Sequence, residues 1–204
     1  MLIEHAGVVP RIHPSAWVAP NATLVGDVTV GAETRVLFGA VITADGGPVR
    51  IGSQCVVMEN AVLRGTRRHP LAIGDRVLVG PRAYLCGCTI ADEVFLATGA
   101  SVFNGAHIGA RAEVRINGTV HLKTVLPEGT TVPIGWVAVG EPAEILPTTE
   151  HDAIWELQEP LDFPGEVFGV ERSREMMTEI MSRYVGYLGG HRNDRVVREH
   201  GPGE

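Results

Sequence analysis

Several side chains suited to binding an anion stand close together in the sequence. Arg64, Arg67, Arg68 and His69 fall within one short segment. Each guanidinium presents a planar fork of N–H donors that matches a carboxylate or phosphate group. The segment therefore predicts a binding site for a small anionic ligand. Two plainer interpretations stay open: the arginines could pair with acidic groups of an adjacent chain, and His69 could be a solvent-exposed loop residue.

Further reactive side chains surround this segment. Arg82, Tyr84 and Cys86 follow it, and Asp45 and Glu59 precede it. Tyr84, Cys86 and Glu59 are the candidates for catalysis, with Glu59 as a general base. Arg82 and Asp45 join the candidates for ligand binding. Cys86 could instead be an inert packed thiol, because the sequence shows no partner that would activate it.

Composition narrows the class of protein. A length of 204 residues allows one substantial domain with an appendage, and the net charge of −7 argues against a nucleic-acid partner. No apolar run approaches the roughly 20 residues of a membrane span, and the first residues lack the basic and apolar regions of a secretory signal. Cys55, Cys86 and Cys88 form neither a zinc-ribbon spacing nor a disulfide framework. The expectation is a cytoplasmic protein with no membrane partner.

A six-residue repeat positions these residues. Val, Ile or Leu recurs at every sixth position from Ile12 to Val132, with insertions after Ile42 and Leu63 and one deletion between Leu85 and Ile90. The fourth residue after each of these anchors is usually small, most often alanine. Such hexads predict three flat faces with the anchors inside and successive coils about 4.8 Å apart. The predicted fold is an all-β, left-handed parallel β-helix of about seven coils with a C-terminal α-helical extension.

The extent of the six-residue repeat sets the expected boundaries of the domains. A lead-in covers residues 1–11, the β-helix covers 12–139, a helical segment covers 140–188, and a flexible tail covers 189–204. Within the helical segment, capping residues at 148–152 predict a short helix. A longer helix is predicted over 172–188. Its apolar stripe is interpreted as a packing face against the β-helix or a neighbouring subunit: Met176, Met177, Ile180, Met181, Tyr184 and Leu188.

The placement of the irregular hexads carries a family resemblance. Residues 43–50, the loop after Leu63 and the short hexad 85–90 interrupt the repeat where γ-class carbonic anhydrases have their own interruptions. The amino-acid sequences of three segments are also similar to those of the family: residues 57–63, 85–90 and 132–143. Over residues 10–145 the chain therefore resembles the γ-class carbonic anhydrase-like hexapeptide-repeat family. The resemblance implies a homotrimer with three histidines holding zinc between two subunits.

The resemblance also assigns the metal positions, and none of them is histidine here. The positions fall on Arg64, Pro81 and Cys86. Proline offers no ligand atom, and zinc needs three or four His, Cys or carboxylate ligands. An arginine would also repel the ion, at a cost of about 8 kcal/mol for a divalent cation about 4 Å away at an effective dielectric of about 20. We therefore expect no metal, no cofactor and no zinc-dependent hydration of carbon dioxide.

At the other positions that the resemblance implies, some of the family's residues are present and others are replaced. The arginine of the family's Arg-Gly-Asp turn is Thr43, whereas Asp45 matches its aspartate. A glutamine on the adjacent strand is Met58, and the acidic residue after it is retained as Glu59.

Stacking of the coils places residues that follow the third-face anchors in one column. That column contains Val25, Thr43, Arg64, Cys86, Phe103 and His121. Arg64 and Cys86 are therefore expected to be neighbours in a positive cleft at the subunit boundary. His107 and His121 are expected outside the inherited site, as surface or packing residues. A different metal site formed by Cys86, His69 and a partner's residue stays open.

These observations leave three functions open. The first is a γ-carbonic anhydrase-like protein that lacks zinc chemistry and binds or transforms a small anionic metabolite. The second is an acyl-CoA-dependent acyltransferase of the same architecture with a histidine base. The third is a non-catalytic structural trimer. Whether the protein is an enzyme is left open by the sequence.

Overall fold

Short strands dominate a computed structural model that describes residues 1–197. Corners join the successive strands up to Val139, as the hexads predict, whereas Val137–Val139 and Glu144–Leu146 pair antiparallel as a hairpin. In chain order they are β1 (Leu2–Glu4), β2 (Arg11–Ile12), β3 (Trp17–Val18), β4 (Thr23–Val25), β5 (Val28–Val30), β6 (Arg35–Val36), β7 (Val41–Asp45), β8 (Val49–Ile51), β9 (Val56–Val57), β10 (Val62–Thr66), β11 (Leu71–Ile73), β12 (Leu78–Val79), β13 (Tyr84–Cys86), β14 (Thr89–Ile90), β15 (Phe95–Leu96), β16 (Ser101–Val102), β17 (His107–Ile108), β18 (Glu113–Val114), β19 (Thr119–Val120), β20 (Val125–Leu126), β21 (Thr131–Val132), β22 (Val137–Val139), β23 (Glu144–Leu146) and β24 (Arg195–Val197).

These strands form three sheets that wrap one core as a parallel β-solenoid of about eight turns. One sheet has ten strands in the order β23-β22-β19-β16-β13-β10-β7-β4-β1-β24. The other two have seven strands each, β2-β5-β8-β11-β14-β17-β20 and β21-β18-β15-β12-β9-β6-β3. Each solenoid strand pairs with the strand three positions along the chain, so Leu63 lies between Ile42 and Leu85. The predicted parallel β-helix architecture is confirmed.

The core explains the hexad. Every anchor from Leu24 to Val132 is buried, while Ile12 and Val18 are partly buried against the same core. Alanines at the fourth step, such as Ala61 and Ala83, are also buried. Branched side chains fill the middle of each face, and a small side chain fits beside each corner.

The N-terminal boundary differs from the predicted one. β1 pairs in parallel with β4, with Leu2 opposite Leu24, so residues 2–4 belong to the solenoid rather than to a separate lead-in. This adds a turn to the seven that the hexads indicate. Leu2 was missed because its distance from Ile12 is not a multiple of six.

Both predicted helices are present with shorter bounds. The first, α1 (His151–Gln158), begins after Glu150, which makes no side-chain capping bond. The second, α2 (Met176–Leu188), buries Ile180. The segment between them contains a 3-10 turn over Glu159–Leu161 and a π-helical turn over Pro164–Phe168. No helix within residues 1–197 combines the length and apolar character needed to cross a bilayer.

The apolar stripe of α2 is only partly a packing face. Ile180 is 5% exposed and Tyr184 is partly buried, but Met177 and Met181 are exposed. The packing interpretation therefore holds for the inner side of the helix alone.

The tail differs from the flexible segment expected over 189–204. Gly189–Asn193 form a 3-10 turn, and β24 pairs antiparallel with β1 at the edge of the ten-stranded sheet. Arg195 donates hydrogen bonds to both carboxylate oxygens of Glu4, each at 2.8 Å. The rest of the expected tail, 198–204, lies outside the described residues.

Candidate functional site

A cavity of about 520 Å³ lies between the ten-stranded sheet and the C-terminal segment. Its sheet side is formed by β7, β10 and β13 and by the loop that follows β10. Its other side is formed by residues 163–169 and α2, through Ile180 and Tyr184 among others. The extension of the chain thus walls the cleft that the sequence places at a subunit boundary.

Most of the sequence-predicted site residues meet in this cavity. The structure brings together Asp45, Arg64, Arg67, His69, Tyr84 and Cys86. Arg68 lines the same space, although the sequence had it only among the neighbouring basic residues. The arginine-rich segment 64–69 and the side chains of Tyr84 and Cys86 in the next coil therefore line one cavity.

The predicted column is confirmed by the strand register. Arg64 pairs with Thr43 on one side and with Cys86 on the other. Further down the sheet, Phe103 lies 5.8 Å from Tyr84 and 6.1 Å from His121, measured between ring centroids. The in-register pairing of successive coils accounts for these neighbours along the sheet.

Arg64 is held by an ion pair with the buried Asp45 carboxylate. Its Nε atom donates to Asp45 Oδ2 at 3.1 Å, and one terminal nitrogen also bonds that oxygen. The same nitrogen lies 3.2 Å from the Tyr184 hydroxyl. Burial alone would lower the pKa of the Arg64 guanidinium, but the hydrogen bond and charge of Asp45 raise it above its usual value. Arg64 thus pairs with an acid of its own chain.

The other cleft arginines differ in how they are engaged. Arg68 donates to the carbonyl oxygens of Gly165 and Glu166 at 3.1 and 3.3 Å. Arg183 bonds Gly169 O at 2.8 Å and Glu179 at 2.5 Å. Within residues 1–197, Arg67 forms no ion pair. Arg67 and Arg68 are therefore the lining arginines without a carboxylate partner among the described residues.

His69 is fixed in the cleft by Glu166. Its Nε2 atom lies 2.6 Å from Glu166 Oε1, and the Lys123 ammonium bonds the other carboxylate oxygen. Hydrogen bonds from Lys123 and His69 hold the pKa of Glu166 below its usual value. This carboxylate anchors the 163–169 segment over the cavity.

Two glycines make room for His69. Gly87 and Gly105 both have positive φ values, +54° and +74°. A Cβ atom at Gly87 would lie 2.7 Å from the His69 Cβ, and one at Gly105 would lie 3.2 Å from its Cε1. The shortened hexad at 85–90 therefore creates the niche in which the imidazole sits.

The surroundings of Cys86 and Tyr84 disfavour ionisation of both side chains. Burial raises the pKa of the Cys86 thiol, although the nearby Tyr84 and the charge of Arg64 offset part of that effect. Burial and the neighbouring Cys86 also raise the pKa of Tyr84. Because the thiolate is the reactive form of cysteine, Cys86 is a weak nucleophile in this environment.

Two predicted residues lie away from the cavity. Arg82 is exposed at a corner of the solenoid with φ at +57°, and its N–H donates to the Glu59 carbonyl at 3.0 Å. Neither side chain lines the cleft. His107 is exposed on a different sheet, and His121 is partly buried beside Phe103.

The sequence missed the partners from the C-terminal segment. Glu166 lies in a link that carries no periodic signal, and Asn104 and Phe168 also line the cavity without having been singled out. Only Ile180 and Tyr184 were indicated, through the helical stripe. Charge alone could have marked Glu166, but nothing in the sequence gives its distance from His69.

The donor set at the positions assigned by resemblance does not fit zinc. The Arg64 guanidinium has no lone pair for a metal and is bonded to Asp45. Pro81 has no side-chain donor. Cys86 offers one sulfur whose pKa is raised by burial. One thiol falls short of the three or four ligands that zinc requires.

Comparisons with known proteins establish the family. No protein-family profile matches the chain. The mitochondrial γ carbonic anhydrase 1 of Arabidopsis thaliana is 32% identical over 143 residues, covering 67% of this chain and 50% of that protein. A carbonic anhydrase of Geobacillus kaustophilus is 30% identical over 158 residues, covering 78% of this chain and 84% of the relative. The chain belongs to the γ-class carbonic anhydrase-like hexapeptide-repeat family.

One of these similarities covers only part of the relative, and a further similarity concerns the fold alone. The match covers only about half the length of the plant relative. A crystal structure of a candidate acetyltransferase from Bacillus cereus has a TM-score of 0.53 at 24% identity, covering 90% of this chain and 95% of that one. At this identity the likeness shows a shared fold.

The Glu166 anchor predicts a pH-dependent contribution to stability. Glu166→Gln removes the carboxylate charge that Lys123 and His69 bond, so we expect the free energy of unfolding at pH 7 to fall by about 1–2 kcal/mol. Since the pKa of Glu166 is lowered in the folded state, this contribution is present above about pH 4.3. It is lost as the pH falls through the folded-state pKa. Thermal melts of both proteins between pH 7 and pH 3 measure the difference.

The matched control is Glu156→Gln, which removes the same charge from an exposed position on α1. We expect its melting temperature to follow that of the unaltered protein at every pH. An equal loss in both variants, or a Glu166→Gln difference that persists at the acid end, would show that the anchor does not hold the segment.

Proposed function

We propose that this protein binds a small anionic metabolite in the cleft and lacks the zinc-dependent activity for which its family is named. The observation that carries the proposal is that Arg67 lines the cavity together with Arg64 and has no ion pair of its own among the described residues. A volume of about 520 Å³ suits a small-molecule ligand.

The charge balance of the cleft favours an anion. The charged groups that are already neutralised by a partner form three pairs: Arg64 with Asp45, Lys123 with Glu166, and Arg183 with Glu179. Arg68 bonds only neutral carbonyl oxygens, and Arg67 has no carboxylate. The remaining charge is therefore positive, and a carboxylate or phosphate would be held by a guanidinium fork with tyrosine hydroxyls nearby.

The missing hydratase chemistry follows from the donor set. In metal-dependent hydration, the ion lowers the pKa of bound water to give a nucleophilic hydroxide at neutral pH. Arg64, Pro81 and Cys86 supply one suitable ligand atom in total. Burial opposes ionisation of that thiol, and no other acid in the cleft is free of a cationic partner.

The family resemblance also supports assembly into a homotrimer. Trp17 and Phe38 pack edge to face with centroids 5.8 Å apart, yet both are exposed, at 42% and 49%. Exposed aromatic pairs of this kind are common at subunit contacts. Light scattering should give a mass of three chains, whereas a monomeric mass would remove this part of the proposal.

A second function, acyl transfer from acyl-CoA, is favoured by the His69–Glu166 pair. With Glu166 on Nε2, the Nδ1 atom of His69 is the nitrogen left to accept a proton. In such a reaction it would take the proton of an acceptor amine or hydroxyl as that group attacks the thioester carbonyl, and coenzyme A would leave as the thiolate. The alternative of a purely structural trimer needs neither residue.

One ligand screen separates these functions. Thermal melts in the presence of small carboxylates, phosphates and acetyl-CoA should show stabilisation by at least one carboxylate or phosphate. Arg67→Ala should reduce that ligand's affinity about tenfold or more, because it removes a charge-assisted contact. Arg76→Ala, at an exposed position on another face, is the matched control and should retain the response.

The outcomes are distinct. Stabilisation by acetyl-CoA alone, lost in His69→Ala, would favour acyl transfer over the anion proposal. An unchanged ligand response in Arg67→Ala would exclude the anion site described here. If no compound stabilises the protein, the structural trimer is the remaining function.

A further inference from the structure

A second cluster of potential ligand atoms lies where the two ends of the described chain meet. His5 follows β1, while His191 and Asp194 precede β24. His5 Nδ1 lies 2.6 Å from Asp194 Oδ1, and His191 Nδ1 lies 2.8 Å from Asp194 Oδ2. The two imidazoles stack with their centroids 4.5 Å apart. One carboxylate is thus shared by two rings from opposite ends of the chain.

We propose that His5, His191 and Asp194 form a binding site for a divalent transition-metal ion such as Zn²⁺ or Co²⁺. One ligand atom from each of the three lies within 4.8 Å of the others. Metal–nitrogen and metal–oxygen bonds of about 2.0–2.2 Å allow ligand atoms to be at most about 4.4 Å apart, so small side-chain rotations suffice. Two imidazoles and a carboxylate suit these ions, and water completes the coordination.

Asp45 supplies an independent reason to place an ion there. Its side chain is only 6% exposed, and its Oδ1 atom has no hydrogen-bond donor among the described residues. This oxygen lies 3.3 Å from His191 Nε2. A histidine that binds metal through one nitrogen usually donates its other N–H to a carboxylate. Metal on His191 Nδ1 would fix the tautomer with hydrogen on Nε2, and a small rotation would then satisfy Asp45.

The surrounding structure brings the ligands together. β24 pairs antiparallel with β1, with Glu4 opposite Arg195, one residue from His5 and one from Asp194 respectively. The partly buried side chains of His5 and Asp194, at 20% and 16% exposure, are shielded from bulk water. A bound ion would cross-link the first strand of the solenoid to the segment that follows α2. None of the three ligands is Arg64, Pro81 or Cys86, although Asp45 bonds Arg64 as well as facing His191. The proposed metal site does not depend on the proposed anion function.

Cobalt binding tests the site directly. The full chain, freed of metal by a chelator, is titrated with Co²⁺ while visible absorption is recorded. We expect one equivalent to bind with a d–d spectrum. The melting temperature should rise by about 5 °C or more once free Co²⁺ exceeds the Kd about 100-fold. His191→Ala and His5→Ala should each lose the spectrum and the thermal shift.

Two control variants keep the result specific. His107→Ala removes an exposed histidine on another sheet, and Cys86→Ser removes the one ligand atom at the family positions. Both should bind Co²⁺ as the unaltered chain does. Asp45→Asn should weaken binding about 10–100-fold if it orients His191. Circular dichroism of each variant checks that it is folded.

Three results would overturn the proposal. The first is the absence of a saturable one-equivalent spectrum in the unaltered protein. The second is unchanged binding in folded His191→Ala and His5→Ala. The third is loss of binding in Cys86→Ser, which would place the ion at the family positions instead.

Discussion

Backbone hydrogen bonds between successive coils determine which side chains can meet on the surface of this solenoid. Each strand pairs in register with the strand one coil away. A residue that follows an anchor therefore lies beside the residue that follows the anchor on the same face of the adjacent coil. Arg64 must therefore lie between Thr43 and Cys86. A few positions in adjacent coils therefore supply the side chains of the cleft, while the buried anchors form the core.

The ion pair between Arg64 and Asp45 connects the two sites of the molecule. Asp45 Oδ2 accepts from Arg64 in the cleft, and Oδ1 faces His191 in the cluster at the chain ends. Because Asp45 is almost fully buried, removing the Arg64 guanidinium would leave a buried carboxylate without this partner, which is strongly destabilising. The same pairing neutralises Arg64 and leaves Arg67 and Arg68 as the cleft arginines without a carboxylate partner among the described residues.

The C-terminal segment completes the cleft through polar contacts to the solenoid. Glu166 bonds His69 and Lys123, while Arg68 bonds backbone carbonyl groups of the segment. The contacts of His69 and Arg68 join residues nearly a hundred positions apart in the sequence. The charge of the Glu166 carboxylate in these contacts depends on pH. Electrostatic contacts therefore hold the cover over the cavity together with the buried side chains of Val170 and Ile180, whereas the solenoid beneath it rests on buried apolar surface.

Much of the fold was predictable because a hexad is a local signal repeated along the chain. The anchors, the irregular loops and the column containing Arg64 and Cys86 all follow from counting residues. The path of the C-terminal segment could not be counted: Glu166 has no periodic context, and His5 meets Asp194 only through the β1–β24 pairing. Arg82 was expected in the cleft from its position beside Tyr84, and Glu59 from the family resemblance, but both lie at corners outside the cavity.

We propose that the ion pair between Arg64 and Asp45 excludes an ion from the metal positions that the family resemblance assigns. Anomalous diffraction at the zinc edge, from crystals grown with stoichiometric zinc, tests it directly. We expect no anomalous peak between Arg64, Pro81 and Cys86, with Arg64 bonded to Asp45. An ordered zinc ion coordinated by Cys86 in this cleft would contradict the claim and the function proposed from it.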